Sequence, residues 1–161
     1  MQREEIKHNL RPVYNEDSKI LILGSFPSVK SRETNFYYGH PQNRFWKVLS
    51  ILWKEEMPIE IPEKIEFLHK HKIAVWDVIA KCDIIGSSDS SIKNVIPTNL
   101  STVLQSGKIT KIFTNGKLAG KLYQTYQKEK TQKDNIFLPS TSPANAVYSL
   151  EKLVDAWEII L

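Results

Sequence analysis

Three observations predict an α/β fold built on a mostly parallel sheet. Four short apolar runs alternate with segments of helical spacing. Each run gives way to Gly, Asp, Asn-Gly or Pro and then to polar residues. No repeat, low-complexity tract or shift of composition divides the chain. Alternation of this kind puts helices on both faces of a sheet whose strands share a direction.

The elements follow in order. Residues 1–18 are charged and close in the turn-forming Tyr14-Asn15-Glu16-Asp17. Ile20-Leu21-Ile22-Leu23, bounded by Gly24, has the length of a buried strand. A long polar and aromatic loop follows, from Ser25 through Phe36-Tyr37-Tyr38 to Arg44. From Phe45 to Trp53, apolar residues at 45, 48, 49 and 52 give one helical face. Ile61 to Leu68 opens a second helix, with Pro62 in its tolerated first turn. Ile73-Ala74-Val75-Trp76-Asp77 is the second strand, and Ile109 to Phe113 the third, ending at Asn115-Gly116. Lys117 to Tyr126 reads as a helix. Asn135 to Leu138 is the fourth strand and runs into Pro139-Ser140-Thr141-Ser142-Pro143-Ala144-Asn145. A closing helix spans Ala146 to Ile160, with Leu150, Leu153, Val154 and Trp157 inward.

The totals narrow the class. At 161 residues with 41% hydrophobic and 25% charged, the chain suits one folded domain over 1–161 rather than disorder. A net charge of +4 permits a polyanionic partner and equally suits a lysine-rich solubilising surface. The single cysteine, Cys82, cannot form an internal disulfide and favours a reducing compartment. Without a membrane-length apolar run or a signal-like start, the expectation is a cytoplasmic protein away from membranes. His69 and His71 would point to different faces of a helix, so neither a metal nor any other cofactor is expected.

In a parallel sheet the C-terminal strand ends share one rim, where open α/β folds bind ligands. The residues arriving there are Gly24-Ser25-Phe26-Pro27-Ser28, Trp76-Asp77, Thr114-Asn115-Gly116-Lys117 and Ser140 to Asn145. Four such ends describe a pocket floor with hydrogen-bonding walls. Ser-x-Pro occurs at two of them, fixing a turn while leaving N–H groups and hydroxyls to bind. Phe36-Tyr37-Tyr38 supplies rings able to stack on a base; the alternative is that Phe36 and Tyr37 pack the loop onto the domain.

Gly24-Ser25-Phe26-Pro27-Ser28 followed by Tyr38-Gly39-His40-Pro41-Gln42-Asn43-Arg44-Phe45-Trp46 resembles the first motif of the uracil-DNA glycosylase superfamily. Leu138 to Asn145 resembles its second motif, and with the Gly-Ser-Phe-Pro variant points to the hypoxanthine-DNA (deoxyinosine) glycosylase branch. The resemblance runs from about Leu10 to the closing helix. It implies a three-layer α/β/α sandwich around a four-stranded parallel sheet, matching the pattern above. It also implies hydrolysis of the N-glycosidic bond of a deaminated base, chiefly hypoxanthine, flipped out of DNA. Uracil or xanthine is the alternative substrate.

The resemblance carries roles to particular residues. Phe26 stands where the mismatch-specific branch has its catalytic Asn, so that role passes to Asn43, whose alternative is to cap the following helix. Phe26, Tyr38, Asp77 and Ser25 are expected around the base, with Tyr38 stacking on it. Asp77 would accept its N1–H; the alternative is a buried cap. Asn115 is favoured as turn chemistry. Ser28, Ser140, Ser142, Pro143, Ala144, Asn145, Lys117 and Arg44 are expected against DNA, and Ser31 likewise. No lysine stands out as a Schiff-base nucleophile, which predicts a monofunctional glycosylase. The expected partner is DNA carrying deaminated bases, met by a monomer associated with the nucleoid. The competing class is a nucleic-acid-binding module that kept the fold and lost the chemistry.

Overall fold

A computed structural model describes residues 4–7, 10–26, 31, 33, 35–84 and 91–161, with backbone alone for 4–7 and 84. Ser28 and most of the polar stretch 86–91 lie outside the described residues. The strands are β1 (Glu4–Lys7), β2 (Ile20–Gly24), β3 (Ile73–Asp77), β4 (Ile79–Ile84), β5 (Lys93–Pro97), β6 (Lys111–Asn115) and β7 (Asn135–Leu138). The helices are α1 (Phe45–Trp53), α2 (Ile61–Lys70), α3 (Ser101–Leu104), α4 (Lys117–Tyr126), α5 (Lys128–Thr131) and α6 (Leu150–Trp157).

Four strands form the expected sheet, in the order β3-β2-β6-β7 and all parallel. Side chains alternate across it, as a strand's period of two requires. Ile22, Val75, Phe113 and Leu138 pack on one face with Phe45, Leu49, Leu68, Leu153 and Trp157 from α1, α2 and α6. Leu21, Leu23, Ala74 and Ile112 pack on the other with Val103 of α3 and Tyr123 of α4. Both faces are therefore covered, giving the three-layer α/β/α arrangement. Among the described residues no helix is long and apolar enough to cross a membrane.

The elements differ from expectation in three places. The third strand runs Lys111–Asn115, two residues later than its apolar start, because Thr110 N–H is already committed to Lys19 O at 2.9 Å. The closing helix begins at Leu150, not Ala146: Ser149 Oγ caps it by accepting from Lys152 N–H at 3.2 Å. The third difference is a second sheet, antiparallel, in the order β1-β4-β5. Only Val78 separates β3 from β4, so the chain leaves the large sheet at its rim and starts the small one there.

That junction is firmly pinned. Val78 N–H donates to Gly24 O at 2.8 Å and Ile79 N–H to Ser25 O at 3.0 Å, continuing the β2–β3 ladder past Asp77. The buried amide of Gln127 reaches in from the far layer and donates to Val78 O and Thr98 O at 3.0 and 2.9 Å. Thr98 Oγ1 donates to Asp77 O at 2.7 Å. A buried backbone with every carbonyl occupied is a rigid floor.

Candidate active site

Gly24 and Asp77 sit side by side at the ends of β2 and β3. The Asp77 side chain is buried and folds over the Gly24 Cα so closely that a Cβ there would lie 2.4 Å from its Oδ1. The same Cβ would lie 3.3 Å from the Tyr38 hydroxyl. Gly24 is thus the point over which a carboxylate from β3 and a phenol from the long loop converge. Real Cβ contacts do not approach 2.4 Å, so the absent side chain is what admits both groups.

Tyr38 reaches this point in a left-handed backbone conformation, φ 55°. Its ring lies flat on Phe45, with centroids 3.9 Å apart and planes inclined by 16°. One face of the ring is therefore taken, leaving the other for a base. Its hydroxyl is buried and has no hydrogen-bond partner among the described residues. Burial first, and the charge of Asp77 second, push its ionisation well above the ordinary tyrosine range, against the weaker pull of the Asn115 amide. The phenol stays protonated and remains a donor at neutral pH.

The adjacent rings are packing residues, the alternative held open above. Phe36 and Tyr37 are both buried. Phe36 stacks on Trp46 at 6.1 Å. Tyr37 O–H donates to Arg11 O at 2.7 Å, and its carbonyl accepts from Trp46 Nε1 at 3.2 Å. Phe26 packs with the Leu21–Leu23 layer, whereas Tyr38 packs with the Phe45 layer on the opposite face. Ser25 is half-buried beside it, its carbonyl held by Ile79 N–H.

Asn43 stands just before α1. Its Oδ1 accepts from Phe45 N–H at 2.9 Å, and its own N–H donates to His40 O at 2.9 Å. The side chain caps the helix and is fixed in direction by doing so. A second lone pair on Oδ1 and both N–H donors of the amide remain to bind a ligand or water.

Arg44, next in sequence, turns the other way. Its guanidinium donates to Ser142 O and Asn145 O, each at 3.1 Å, and to Tyr148 O. Its backbone N–H donates to Thr141 O at 3.0 Å. The arginine expected against phosphate thus has both terminal nitrogens committed to the loop after β7. That loop is further knitted to itself: Ser140 Oγ accepts from Ser142 N–H, Ser142 Oγ from Ala144 N–H, and Asn145 Nδ2 donates to Ser140 O. Pro143 and Ala144 are exposed at its tip, and Lys117 is exposed at the start of α4.

Sequence reasoning missed several supports. Thr141, fully buried, clasps Asn115 twice: its N–H donates to Oδ1 at 3.1 Å, and its Oγ1 accepts from Nδ2 at 3.0 Å. Asn115 therefore ties β6 to the last loop, a stronger role than the turn chemistry expected of Asn-Gly. Ser31, expected near phosphate, is buried and accepts from Gly39 N–H at 3.1 Å, so packing removes it from the DNA-facing set. Val147, just past the loop, is 81% exposed. It borders a shallow groove of about 490 Å³ with Tyr148, Lys152, Asp155 and Ala156. An exposed apolar side chain beside a polar loop was legible only as an oddity in the closing helix.

Comparison with known proteins agrees with this geometry. The family described as the Uracil DNA glycosylase superfamily matches residues 11–160. A protein of Methanosarcina barkeri named hypoxanthine DNA glycosylase is 33% identical over 153 residues, covering 94% of this chain and 95% of its own. One of the same name from Methanosarcina acetivorans is 31% identical over 157 residues, covering 96% and 98%. A solution NMR structure of a candidate uracil DNA glycosylase from Methanosarcina acetivorans superposes with a TM-score of 0.79 at 29% identity. It covers 96% of this chain and 98% of that one. The chain belongs to the uracil DNA glycosylase superfamily.

Proposed function

We propose that this protein is a monofunctional DNA glycosylase that removes deaminated bases, chiefly hypoxanthine, from flipped-out nucleotides. The observation that carries this reading is the convergence of Asp77 and Tyr38 over Gly24. A buried carboxylate and a buried, protonated phenol at one strand-end rim suit a polar heterocycle. The near full-length likeness to two proteins named hypoxanthine DNA glycosylase supports the same substrate.

The reaction balances simply. A water oxygen bonds to C1′ of the deoxyribose as the C1′–N9 bond breaks. The base leaves with the bonding pair and takes up a proton, giving free hypoxanthine and an abasic sugar. Asn43 is the water-holding group: its amide is aimed by the cap bond to Phe45 N–H and does not titrate. The open face of Tyr38 receives the base, with Phe26 and Ser25 at the neighbouring rim. The Ser140–Asn145 loop meets the strand, and Lys117 adds a phosphate contact that salt weakens. Val147 offers an apolar wedge for the vacated place in the base stack. Arg44 serves as a positioning residue for that loop. The protein acts as a monomer on nucleoid DNA in the cytoplasm.

Duplexes carrying one deoxyinosine, deoxyxanthosine or deoxyuridine, treated with protein and then alkali, test the reading. Strand cleavage at deoxyinosine, faster than at the other two, is expected. Binding without cleavage of any of the three would return the chain to the non-catalytic class.

A further inference from the structure

We propose that the Tyr38 hydroxyl and the Asp77 carboxylate form a single recognition edge for the 6-keto, N1–H face of the base, Tyr38 donating to O6 and Asp77 accepting from N1–H. The inference rests on the glycosylase function proposed above and assigns Tyr38 a part distinct from ring stacking.

An acceptor alone cannot read this face. A carboxylate that takes the N1–H of hypoxanthine lies next to O6, another acceptor, and the two repel unless a donor stands between them. Tyr38 supplies that donor. Its hydroxyl and Asp77 Oδ1 flank the same point above Gly24. The hydroxyl is buried with no partner of its own among the described residues, although buried hydroxyls ordinarily find one. Leaving such a group unpaired costs free energy that a ligand oxygen restores. The Asn115 amide lies close by but is turned to Thr141 through both its oxygen and its nitrogen. A carboxylate has about four acceptor sites, so Asp77 can take N1–H whatever else it holds.

The same edge explains discrimination. Adenine carries an amino group at C6 and an unprotonated N1. A hydroxyl can rotate to accept from that amino group, so rejection falls on Asp77, whose carboxylate would meet a bare N1 lone pair. Xanthine and uracil present the same keto and N–H neighbours as hypoxanthine and would be read alike. During bond cleavage negative charge grows on the departing base, O6 included, and the Tyr38 donor then acts on the transition state as well as on binding. Both groups are shielded from solvent in the free protein, so the base reaches them only after the rim parts.

Tyr38→Phe isolates the hydroxyl, because the ring and its stack on Phe45 are kept. Single-turnover excision of hypoxanthine should fall about a hundredfold, the size typical of losing one preorganised donor. Binding to a duplex with a tetrahydrofuran abasic analogue, which has no base to read, should stay within about twofold. The melting temperature should hold or rise, since the hydroxyl satisfies nothing in the free protein. A duplex carrying purine deoxyriboside, which lacks the C6 oxygen, should be cut slowly by the parent protein and no more slowly by the variant. A Tyr38→Phe rate within threefold of the parent overturns the proposal while leaving the glycosylase reading intact. So does a comparable further loss on purine deoxyriboside, or a rate loss that tracks a fall in melting temperature. Failure of the unmodified protein to cut inosine, xanthosine or uridine duplexes overturns both readings together.

Discussion

Replacing Gly24 by alanine tests whether the site depends on closeness at one atom. The added Cβ would stand 2.4 Å from Asp77 Oδ1, whereas ordinary contact begins at 3.4 Å. Asp77 must then retreat by about 1 Å, and a displacement of that size in a reacting constellation can cost on the order of a hundredfold in rate. The retreat is resisted: Asp77 is buried, its carbonyl is held by Thr98, and the two strands are locked in register. Overpacking of this kind costs roughly 1–3 kcal/mol. For a chain of this size, ~2 kcal/mol lowers the melting temperature by roughly 4–8 °C. Single-turnover excision of hypoxanthine, measured well below the melting temperature, separates the two effects. A folded Gly24→Ala protein working within threefold of the parent rate would refute the claim that Asp77 must sit where it does.

Other outcomes follow from the same contacts. Asn43→Ala should lower the excision rate about a hundredfold and cost about 1 kcal/mol of stability for the lost cap; a purely thermal effect would leave Asn43 a cap and nothing more. Arg44→Gln removes the guanidinium that holds three loop carbonyls and should cost about 2–3 kcal/mol. The salt dependence of its DNA affinity should not change, and a slope shallower by about one unit would restore Arg44 to a phosphate contact. Tyr37 and Tyr38 resist ionisation chiefly because they are buried, so their folded-state pKa lies above the ordinary 10.0. The unfolded chain sheds those protons first, and stability should fall as pH rises past about 10. Urea melts of Tyr37→Phe and Tyr38→Phe should show a flatter alkaline limb, and unaltered slopes would contradict the burial described.

The parallel sheet was legible because Ile20-Leu21-Ile22-Leu23 and Ile73-Ala74-Val75 are buried on both faces and so carry continuous apolar runs. The β1-β4-β5 sheet was not. Ile79–Ile84 mixes Lys81 and Asp83 with Cys82, and its partner Glu4–Lys7 lies far off in sequence, so no local pattern announces the pairing. Within the site, residue type could propose but not direct. Phe36, Tyr37 and Tyr38 are three neighbouring aromatics. Backbone geometry buries two in the core and turns the third, at positive φ, onto Phe45. Arg44 looked like a phosphate ligand because arginines in loops commonly are; only the fold brings three carbonyls from a loop a hundred residues away within its reach. Asp77 could be placed at a strand end from sequence, but not its closeness to Gly24, which depends on the register of two strands.

The opposite facing of Asn43 and Arg44 has a consequence for timing. One peptide unit joins the amide that aims the water to the side chain that grips the strand-facing loop. A phosphate that pulls on Ser142 or Asn145 therefore tugs at the base of Asn43 through a single covalent step. Engagement of the DNA strand and alignment for hydrolysis become one motion, which ties the cutting of the bond to a fully seated duplex. The protein can then slide along intact DNA with its cutting gear out of line.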